Sequence, residues 1–384
     1  MHILHVSPYY PPSWAYGGIP RIVSGLAVHQ AQLGHQVSVL TTDAFDSEKR
    51  FLGPSIEERH SVKVLRATNL SNRLAYQQLF LPLGANRLLE QLDKVDIIHL
   101  HGHRHLLNNI ALQYARKHKI PTVMTANGTL RRIESRQRIK WLWDRLISGK
   151  IPHQVTACVT VSSADTAIHR SAGIPAEKIT QIPNGLDLKE FEALPPPDSF
   201  RKAFGLDHRP IIAYLGRISP RKGVDVLIQA FKAVKIASQL VIAGNDMGAL
   251  AHAQKLAHPH PDIHFVGLLE GAQRLALLRD TQVLVYASQN EIFGLVPFEG
   301  LICGAPTVVS NDCGCGELIQ AAQAGLLVNY GDEHGLANRL DILMSDPDLR
   351  QTMVERGKSY IQKTLDFTAV AQRHIALYQR LTQG

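Results

Sequence analysis

Two carboxylates in the second half of the chain have the residue type that recognises sugar and ribose hydroxyls. In the segment NEIFGLVPFEGLICGAPTVVS, Glu291 and Glu299 stand eight positions apart, with a Phe-Gly pair between them. The pattern places Glu291 in a loop after a strand and Glu299 in the first turn of the next helix, where Pro297 is tolerated. Gly294 would let the backbone approach a ligand closely. In the structural alternative, Glu299 only complements the helix dipole and Glu291 is a surface residue.

A basic turn precedes this segment along the chain. In GRISPRKGVDVLIQAF, a glycine follows a strand, and Arg217, Arg221 and Lys222 precede Gly223, which opens a helix. Fixed cations beside the free N–H groups of a helix N-terminus form a site for a diphosphate. The alternative is a solvated basic turn without a ligand.

Four histidines occupy alternate positions in DIIHLHGHRHLL: His99, His101, His103 and His105. On an extended chain they would share one face. A metal site needs further ligands and an ordered partner for each imidazole, and Gly102 should end the strand before the last two histidines. We therefore predict no metal site. We expect His99 to be a hydrogen-bonded structural residue and His101 to contact a ligand at the strand end, and a structural role for all four stays open.

The elements that must position these residues alternate between strands and helices. The first half contains the apolar runs HILHV, HQVSVLTT, VKVLRA, VDIIHLH, PTVMTA and QVTACVTVSS, and the second half contains PIIAYLG, SQLVIAG, DIHFVG, TQVLVYAS and APTVVS. This alternation predicts an α/β fold of two doubly wound, Rossmann-like domains. Ligands of such domains bind at the carboxyl ends of the strands, so we expect the two domains to face each other across a cleft that holds the site.

The boundary between the domains is marked by three consecutive prolines in LPPPDSF, which are typical of a semi-rigid linker. We predict an N-terminal domain over residues 1–190, a linker over 191–205 and a C-terminal domain over 206–365. A final helix over 366–384 is expected to pack back on the N-terminal domain.

Composition limits the class of protein. The chain has 384 residues, 45% of them hydrophobic, and a formal net charge of +8. No apolar run approaches the roughly 20 residues that span a bilayer. The positive charge favours an anionic partner, and without a nucleic-acid-binding motif we expect nucleotide phosphates or a lipid surface rather than nucleic acid. Four cysteines are too few for a disulfide framework and predict a reducing cytoplasm, and CGCG (residues 313–316) is a poor metal site.

The segment TLRRIESRQRIKWLWDRLISGK, residues 129–150, is basic and contains two tryptophans. It carries seven Lys or Arg residues against Glu134 and Asp144. An amphipathic basic helix with tryptophans suits an anionic membrane surface. The alternative is a solvated helix whose tryptophans pack on the domain. We expect a cytoplasmic protein that associates peripherally with the inner face of the membrane.

These motifs together resemble one enzyme family. Glu-x7-Glu with an internal Phe-Gly, followed by CGAPTVV, is similar to the group 1 (family 4) retaining glycosyltransferases of the GT-B fold. The segments SPYYPP…YGGIPR, GHQVSVLT, DIIHLHG, VTVSS, IPNGLD, LGRISPRKGVD, FVG and TLDFTAVAQRHIALYQRL follow in the order of that family. The resemblance covers nearly the whole chain. It implies that the N-terminal domain is the acceptor side and that the C-terminal domain binds a nucleotide sugar.

The resemblance implies roles for the C-terminal motifs. Arg217 and Lys222 would hold the donor diphosphate and act in catalysis. Glu291 would contact the transferred sugar as a further catalytic residue, and Glu299 would accept the ribose hydroxyls. Backbone N–H groups near the sugar and phosphate would come from Phe293, Gly294 and Leu295.

Further donor contacts are implied elsewhere in the chain. Gly17 and Gly18 would approach the donor from the N-terminal domain, and Val266 and Gly267 would lie near the nucleobase. Family members often place a histidine after the strand PTVMTA, where this chain has Asn127. Asparagine can bind a sugar hydroxyl but cannot act as a base, so the departing phosphate would take the acceptor proton, or His101 would assume the role of that histidine.

The resemblance thus implies a retaining hexosyltransferase. It would move a hexosyl unit from a UDP- or GDP-linked sugar to a glycan or lipid-linked acceptor in bacterial surface polysaccharide or glycolipid synthesis. No metal or other cofactor is expected, because the Asp-x-Asp of SDPDLR is explained as a helix cap. The alternatives are a sugar-nucleotide epimerase or phosphorylase on the same fold, or a non-enzymatic metal- or lipid-binding protein.

Overall fold

The chain folds into two compact units. The computed structural model describes residues 1–14, 18–46, 48–77, 79–130 and 141–383. One unit comprises Met1–Leu186 with Leu365–Gly384, and the other comprises Asp187–Thr364. Each is built on its own largely parallel sheet with helices, which confirms the predicted α/β class with two Rossmann-like domains. Gly17 and much of the predicted basic helix, residues 131–140, lie outside the described residues.

The first unit contains a sheet whose central strands are buried. Its strands are β1 His2–Val6, β2 Gln36–Thr42, β3 Ile56–Arg59, β4 Val62–Asn69, β5 Pro82–Leu83, β6 Ile97–His101, β7 Thr122–Thr125, β8 Ala157–Thr160 and β9 Ile179–Gln181. Their order is β3-β4-β2-β1-β6-β7-β8-β9, with β5 paired to β4. The pairs are parallel except at the edge, where β3 and β5 run antiparallel to β4. The continuous apolar runs of the sequence are explained by burial of both sheet faces.

Helices complete the first unit. They are α1 Gly18–Gln32, α2 Asn72–Tyr76, α3 Ala85–Leu89, α4 Leu106–His118, α5 Ile151–Gln154 and α6 Ser163–Ser171, and the C-terminal helix Phe367–Gln383. The C-terminal helix buries Val370, Leu377 and Tyr378 in a cluster with Ile3 of β1 and Ile97 of β6. The C-terminal helix therefore belongs to the first unit.

Two glycines leave space for Phe367, the first residue of the C-terminal helix. A Cβ atom on Gly25 of α1 would lie 2.2 Å from the Phe367 ring, and one on Gly185 would lie 2.3 Å from it. The ring also stacks on His29, at 5.3 Å between ring centroids. Phe367 can occupy this position only because neither neighbour has a side chain there.

The second unit has a six-stranded parallel sheet. Its strands are β10 Ile211–Leu215, β11 Gln239–Ala243, β12 Ile263–Gly267, β13 Thr281–Tyr286, β14 Thr307–Ser310 and β15 Gly325–Val328. Their spatial order is β12-β11-β10-β13-β14-β15. This is the doubly wound order 3-2-1-4-5-6, in which the chain reverses direction across the sheet between the first and fourth strands.

The helices of the second unit follow its strands. They are α7 Ser199–Phe204, α8 Val224–Lys232, α9 Leu250–Ala257, α10 Gly271–Asp280, α11 Val296–Cys303, α12 Gly314–Ala322, α13 Glu333–Ser345 and α14 Pro347–Thr364. Residues 191–205, which the prolines mark as a linker, lie inside this unit and include α7. The Asp280 carboxylate accepts hydrogen bonds from the backbone N–H groups of Asp198, Phe200 and Arg201, at 2.8, 2.9 and 3.2 Å, so this segment is tied to α10.

None of the helices in the described ranges has both the length and the apolar character that a transmembrane span requires.

The glycine contacts of Phe367 generate a stability prediction. Gly25→Ala places a methyl group inside the Phe367 ring, and overpacking of this kind costs about 1–3 kcal/mol of the free energy of unfolding. Gly18→Ala in the same helix is the matched control, because no described residue other than its chain neighbours and its own helix backbone has an atom within 4 Å of the Gly18 Cβ position. Urea unfolding of both variants measures the difference. Equal stability of the two would contradict the packing described.

Candidate functional site

The switch point of the second sheet brings together the loops that follow β10 and β13. Strand β10 pairs with β11 on one side and with β13 on the other. Ligands of doubly wound sheets bind at the carboxyl ends of the strands at such a point. The two loops are joined there by a hydrogen bond from the Gln289 N–H to the Arg221 carbonyl, at 2.8 Å.

Lys222 and Glu291 meet at this point as an ion pair. Lys222 ends a 3₁₀ turn, Pro220–Lys222, and is only 8% exposed. Its ammonium donates to Glu291 Oε2 and, at 3.2 Å, to the Tyr286 hydroxyl. The ammonium also lies 5.1 Å from the centroid of the Tyr286 ring. The structure therefore brings together two residues that the sequence predicts at one site, and adds Tyr286, which the sequence analysis missed.

The backbone around the pair requires glycine at two positions. Gly223 has φ +64° at the start of α8, and a Cβ there would lie 2.1 Å from the Ala287 carbonyl oxygen. A Cβ on Gly294 would lie 2.6 Å from the Tyr286 ring. Glycine is therefore needed at position 294 because a side chain there would collide with the Tyr286 ring. The sequence does not reveal this packing reason. Burial, followed by the Glu291 charge, raises the pKa of Tyr286 well above its ordinary value, so the phenol stays protonated.

Glu299 lies where the sequence predicts it, in the first turn of α11. It is 4% exposed, and Arg274 of α10 donates to Glu299 Oε2 at 2.5 Å and to Glu190 Oε2 at 3.1 Å. The carboxylate is therefore already oriented by a guanidinium. Sequence analysis missed Arg274 because nothing in the helical pattern of LEGAQRLALLRD distinguishes it from a surface arginine.

The other predicted donor residues of this unit follow or end its strands, and they differ in how exposed they are. Arg217 is exposed and follows β10 directly. Val266 and Gly267 end β12, and Gly267 is exposed with φ +74°. Phe293 and Leu295 are half-buried in the loop before α11. Their contacts with a ligand stay predictions.

Cys313 and Cys315 lie beside the carboxylate loop. Their sulfur atoms are 3.0 Å apart, both residues are buried, and the Gly314 N–H donates to the Glu291 carbonyl at 2.8 Å. Burial raises the pKa of the Cys315 thiol well above its ordinary value. Among the described residues, no third metal-ligating side chain joins the pair.

The first sheet has its own switch point, between β1 and β6, and it is lined by histidines. His5 of β1 and His99 and His101 of β6 are at most 1% exposed. His99 accepts or donates hydrogen bonds at both ring nitrogens, to Tyr378 OH at 2.6 Å and to Thr125 Oγ1 at 2.7 Å, which confirms its predicted structural bonding. One ring nitrogen from each of the three histidines lies within 4.8 Å of one from each of the others, and no other such ligand group occurs in the described ranges. Sequence analysis missed His5.

The remaining histidines and Asn127 are placed around this cluster. The ring of His105 bonds the His101 carbonyl at 2.8 Å, and the ring of His103 bonds the Ser148 carbonyl at 2.9 Å, so both have structural partners. Asn127 adopts a left-handed conformation, φ +50°, directly after β7. Gly18 begins α1 and is exposed. Whether Gly18 and Asn127 contact the donor stays a prediction.

The basic segment exposes apolar side chains in its described part after residue 140. Trp141 and Leu142 are 49% and 50% exposed, and the Arg145 guanidinium lies 5.6 Å from the centroid of the Trp141 ring. Asp144 forms an ion pair with Arg104, at 2.8 Å, which attaches this segment to the first unit. Trp141 therefore does not pack on the domain, whereas Trp143 is half-buried and its indole nitrogen is enclosed, so each alternative describes one of the two tryptophans.

Comparison with known proteins agrees with this geometry. A family described as "Glycosyl transferases group 1" matches residues 198–360, and a second, "Glycosyltransferase Family 4", matches residues 16–190. Glycogen synthase of Mycobacterium tuberculosis is 27% identical over 415 residues, covering 100% of this chain and 96% of that protein. A GDP-mannose-dependent alpha-mannosyltransferase of Mycolicibacterium smegmatis is 25% identical, covering 81% of this chain and 80% of that protein.

Solved structures show the same fold. Sucrose-phosphate synthase of Thermosynechococcus elongatus matches with a TM-score of 0.79 and 21% identity, covering 100% of this chain and 99% of that one. HepE of Anabaena, in complex with UDP and glucose, matches with a TM-score of 0.76 and 18% identity, covering 99% of this chain and 100% of that one.

The two Rossmann-like units and their likeness to these solved structures define a protein of the GT-B fold class. The chain belongs to the group 1 glycosyltransferases of family 4, and it is a glycosyltransferase.

The buried histidines make stability depend on pH. Burial lowers the pKa of His5, His105 and His374 from 6.5 to about 4. Between these values the unfolded chain binds protons that the folded chain does not, so the free energy of unfolding falls as the pH decreases from 6.5 to 4. Each histidine contributes up to about 1.4 kcal/mol per pH unit.

Thermal unfolding at pH 7.5, 6.5 and 5.5 tests this dependence. The melting temperature should fall slightly between pH 7.5 and 6.5 and more steeply between pH 6.5 and 5.5. His374→Gln removes one of these groups and should make the decrease shallower. A melting temperature that is unchanged at pH 5.5 would show that these histidines are not buried as neutral rings.

Proposed function

We propose that this chain is a retaining hexosyltransferase that uses a UDP- or GDP-linked sugar and needs no metal. The observation that carries the proposal is the Lys222–Glu291 pair at the switch point of the second sheet, on the Tyr286 hydroxyl. In this pair, the Lys222 ammonium is in direct contact with the Glu291 carboxylate, to which we assign sugar binding. Solved relatives of the fold were obtained with UDP and with UDP-glucose, and sequence relatives are named as GDP-mannose-dependent.

The reaction needs charge stabilisation rather than a protein base. As the sugar leaves, negative charge grows on the β-phosphate, and we assign its stabilisation to Lys222 and Arg217. Glu291 orients the transferred sugar, and Glu299, positioned by Arg274, accepts the ribose hydroxyls. The departing phosphate takes the acceptor proton on the same face of the sugar, which preserves the anomeric configuration.

A nucleotide screen tests the donor site. We expect UDP or GDP to raise the melting temperature more than ADP, and Glu299→Ala to remove the shift. Lys222→Met should lower kcat about 100-fold or more, because a lost charge-stabilising donor typically costs this much. Lys202→Met, an exposed lysine of the same unit, is the matched control and should leave kcat unchanged.

Product analysis tests the reaction class. With donor and acceptor, proton NMR of the first product should show the donor's anomeric configuration, and EDTA should not reduce the rate. An inverted product would overturn the retaining mechanism. Epimerised donor formed without acceptor would indicate the alternative activity, and loss of activity in EDTA would overturn metal independence.

We propose that the acceptor is a glycan or a lipid-linked glycan at the cytoplasmic face of a membrane, in bacterial surface polysaccharide or glycolipid synthesis. The support is the basic segment, whose described end exposes Trp141 and Leu142 beside Arg145. Flotation with vesicles containing anionic phospholipid should recover the protein, and neutral vesicles should not. Trp141→Ala should weaken the association, whereas equal recovery with both vesicle types would contradict a basic membrane-binding surface.

A further inference from the structure

A directed hydrogen-bond chain runs through the histidine cluster of the first unit. The Gln30 amide oxygen, on α1, lies 2.7 Å from His5 Nε2. His5 Nδ1 lies 2.9 Å from His101 Nε2. All three residues are at most 1% exposed, so water does not compete for these bonds.

With the Gln30 oxygen, and not its amide nitrogen, facing His5, the hydrogen-bond chain determines where each proton sits. An amide oxygen only accepts, so His5 Nε2 must carry its hydrogen. A neutral imidazole has one N–H, so His5 Nδ1 accepts and His101 Nε2 donates to it. His101 Nδ1 is then a lone pair, and this buried atom makes no hydrogen bond with any residue in the described ranges. In the described ranges, His103 Nδ1, His105 Nδ1 and His169 Nε2 are also buried without a hydrogen bond. His101 Nδ1 differs from them because His101 is the last residue of β6, at the carboxyl end of a strand beside the switch point, where ligands of such sheets bind.

The surroundings keep the His101 ring neutral. Besides His5, the ring of His99 on the same strand lies 4.1 Å from the His101 ring, between ring centroids. His374 on the C-terminal helix and His105 before α4 are close enough to act on its charge. Burial, followed by these imidazoles, lowers the pKa of His101 well below its ordinary value. The nearby charge at Arg373 acts on His374 in the same direction.

The same three histidines could instead be considered as metal ligands. Both ring nitrogens of His5 and both of His99 already have protein partners, as does His101 Nε2. A metal ion would have to replace the His5–His101 bond and one bond of His99. The contacts present favour a hydrogen-bonded network.

We propose that Gln30 and His5 are positioning residues that fix the tautomer of His101, so that its Nδ1 atom accepts a hydrogen bond from a sugar hydroxyl. The identity of that ligand rests on the proposed function. His101 then binds the hydroxyl as a neutral acceptor and does not store the proton of the reaction, in agreement with proton uptake by the departing phosphate.

Imidazole nitrogen NMR tests the tautomer without any activity measurement. In the full chain labelled with ¹⁵N-histidine, His101 should show a protonated Nε2 and an unprotonated Nδ1 from pH 6 to 8, and His101→Gln assigns the signals. Gln30→Met, which removes the acceptor, should give a mixture of tautomers. A protonated Nδ1 in the native chain, or stoichiometric zinc in the purified protein, would overturn the proposal.

Kinetics tests the positioning role. Losing one net hydrogen bond shifts an equilibrium by up to about 10-fold, so Gln30→Met should lower kcat by up to about that factor while leaving the Kd for the nucleoside diphosphate unchanged. Gln30→Glu retains an accepting oxygen and should recover most of kcat. Because the added carboxylate favours a protonated His5, the acidic limb of the kcat profile should move to higher pH.

A matched buried histidine separates positioning from folding. His169 is also fully buried in the first unit and bonds the Asp165 carbonyl of its own helix at 2.8 Å. His169→Gln should lower the melting temperature without moving the pH profile. If Gln30→Glu leaves the profile in place, or if Gln30→Met keeps full kcat, the positioning role is wrong, although transfer by the native chain would still support the proposed function.

Discussion

The ion pair between Lys222 and Glu291 is the interaction on which the second unit is organised. An ammonium that is 8% exposed has lost most of its hydration, and such a charge is tolerated only with a partner and further hydrogen bonds. The Glu291 carboxylate and the Tyr286 hydroxyl supply them. The loops after β10 and β13 must therefore remain in contact, and the glycines at 223 and 294 permit this because side chains there would collide with Ala287 and Tyr286.

The switch points of the two sheets differ in the charge of the side chains that line them. In the second unit, charges are paired: Lys222 with Glu291, and Arg274 with Glu190 and Glu299. In the first unit, the corresponding position holds neutral imidazoles whose protons are arranged by hydrogen bonds. This difference fits the reaction proposed above, in which charge would develop on the phosphate of the leaving group. The groups that meet phosphate need full charge, whereas a group that meets a sugar hydroxyl needs a defined lone pair.

Several local features were predictable because short-range rules determine them. The sequence pattern places Glu299 in a first helical turn, Glu291 after a strand, and both halves of the chain in the α/β class, and the structure agrees. Arg274, Tyr286, His5 and Gln30 were missed. Each acts through a partner far along the chain, as His5 does with His101, 96 residues away, and no periodicity records such a contact.

The sequence by itself therefore determined the alternation of elements, the family and the residue types of the donor site, since these follow from apolar periodicity and from motifs within about one strand-loop-helix unit. Only the tertiary structure decided which side chains hold those residues in place. It showed that the prolines of the predicted linker lie inside the second unit, that Phe367 packs between two glycines, and that four alternating histidines divide into separate hydrogen-bonded roles. The physical reason is that burial and pairing depend on strand order, which brings β1 beside β6 and β10 beside β13 and is not encoded in any single segment.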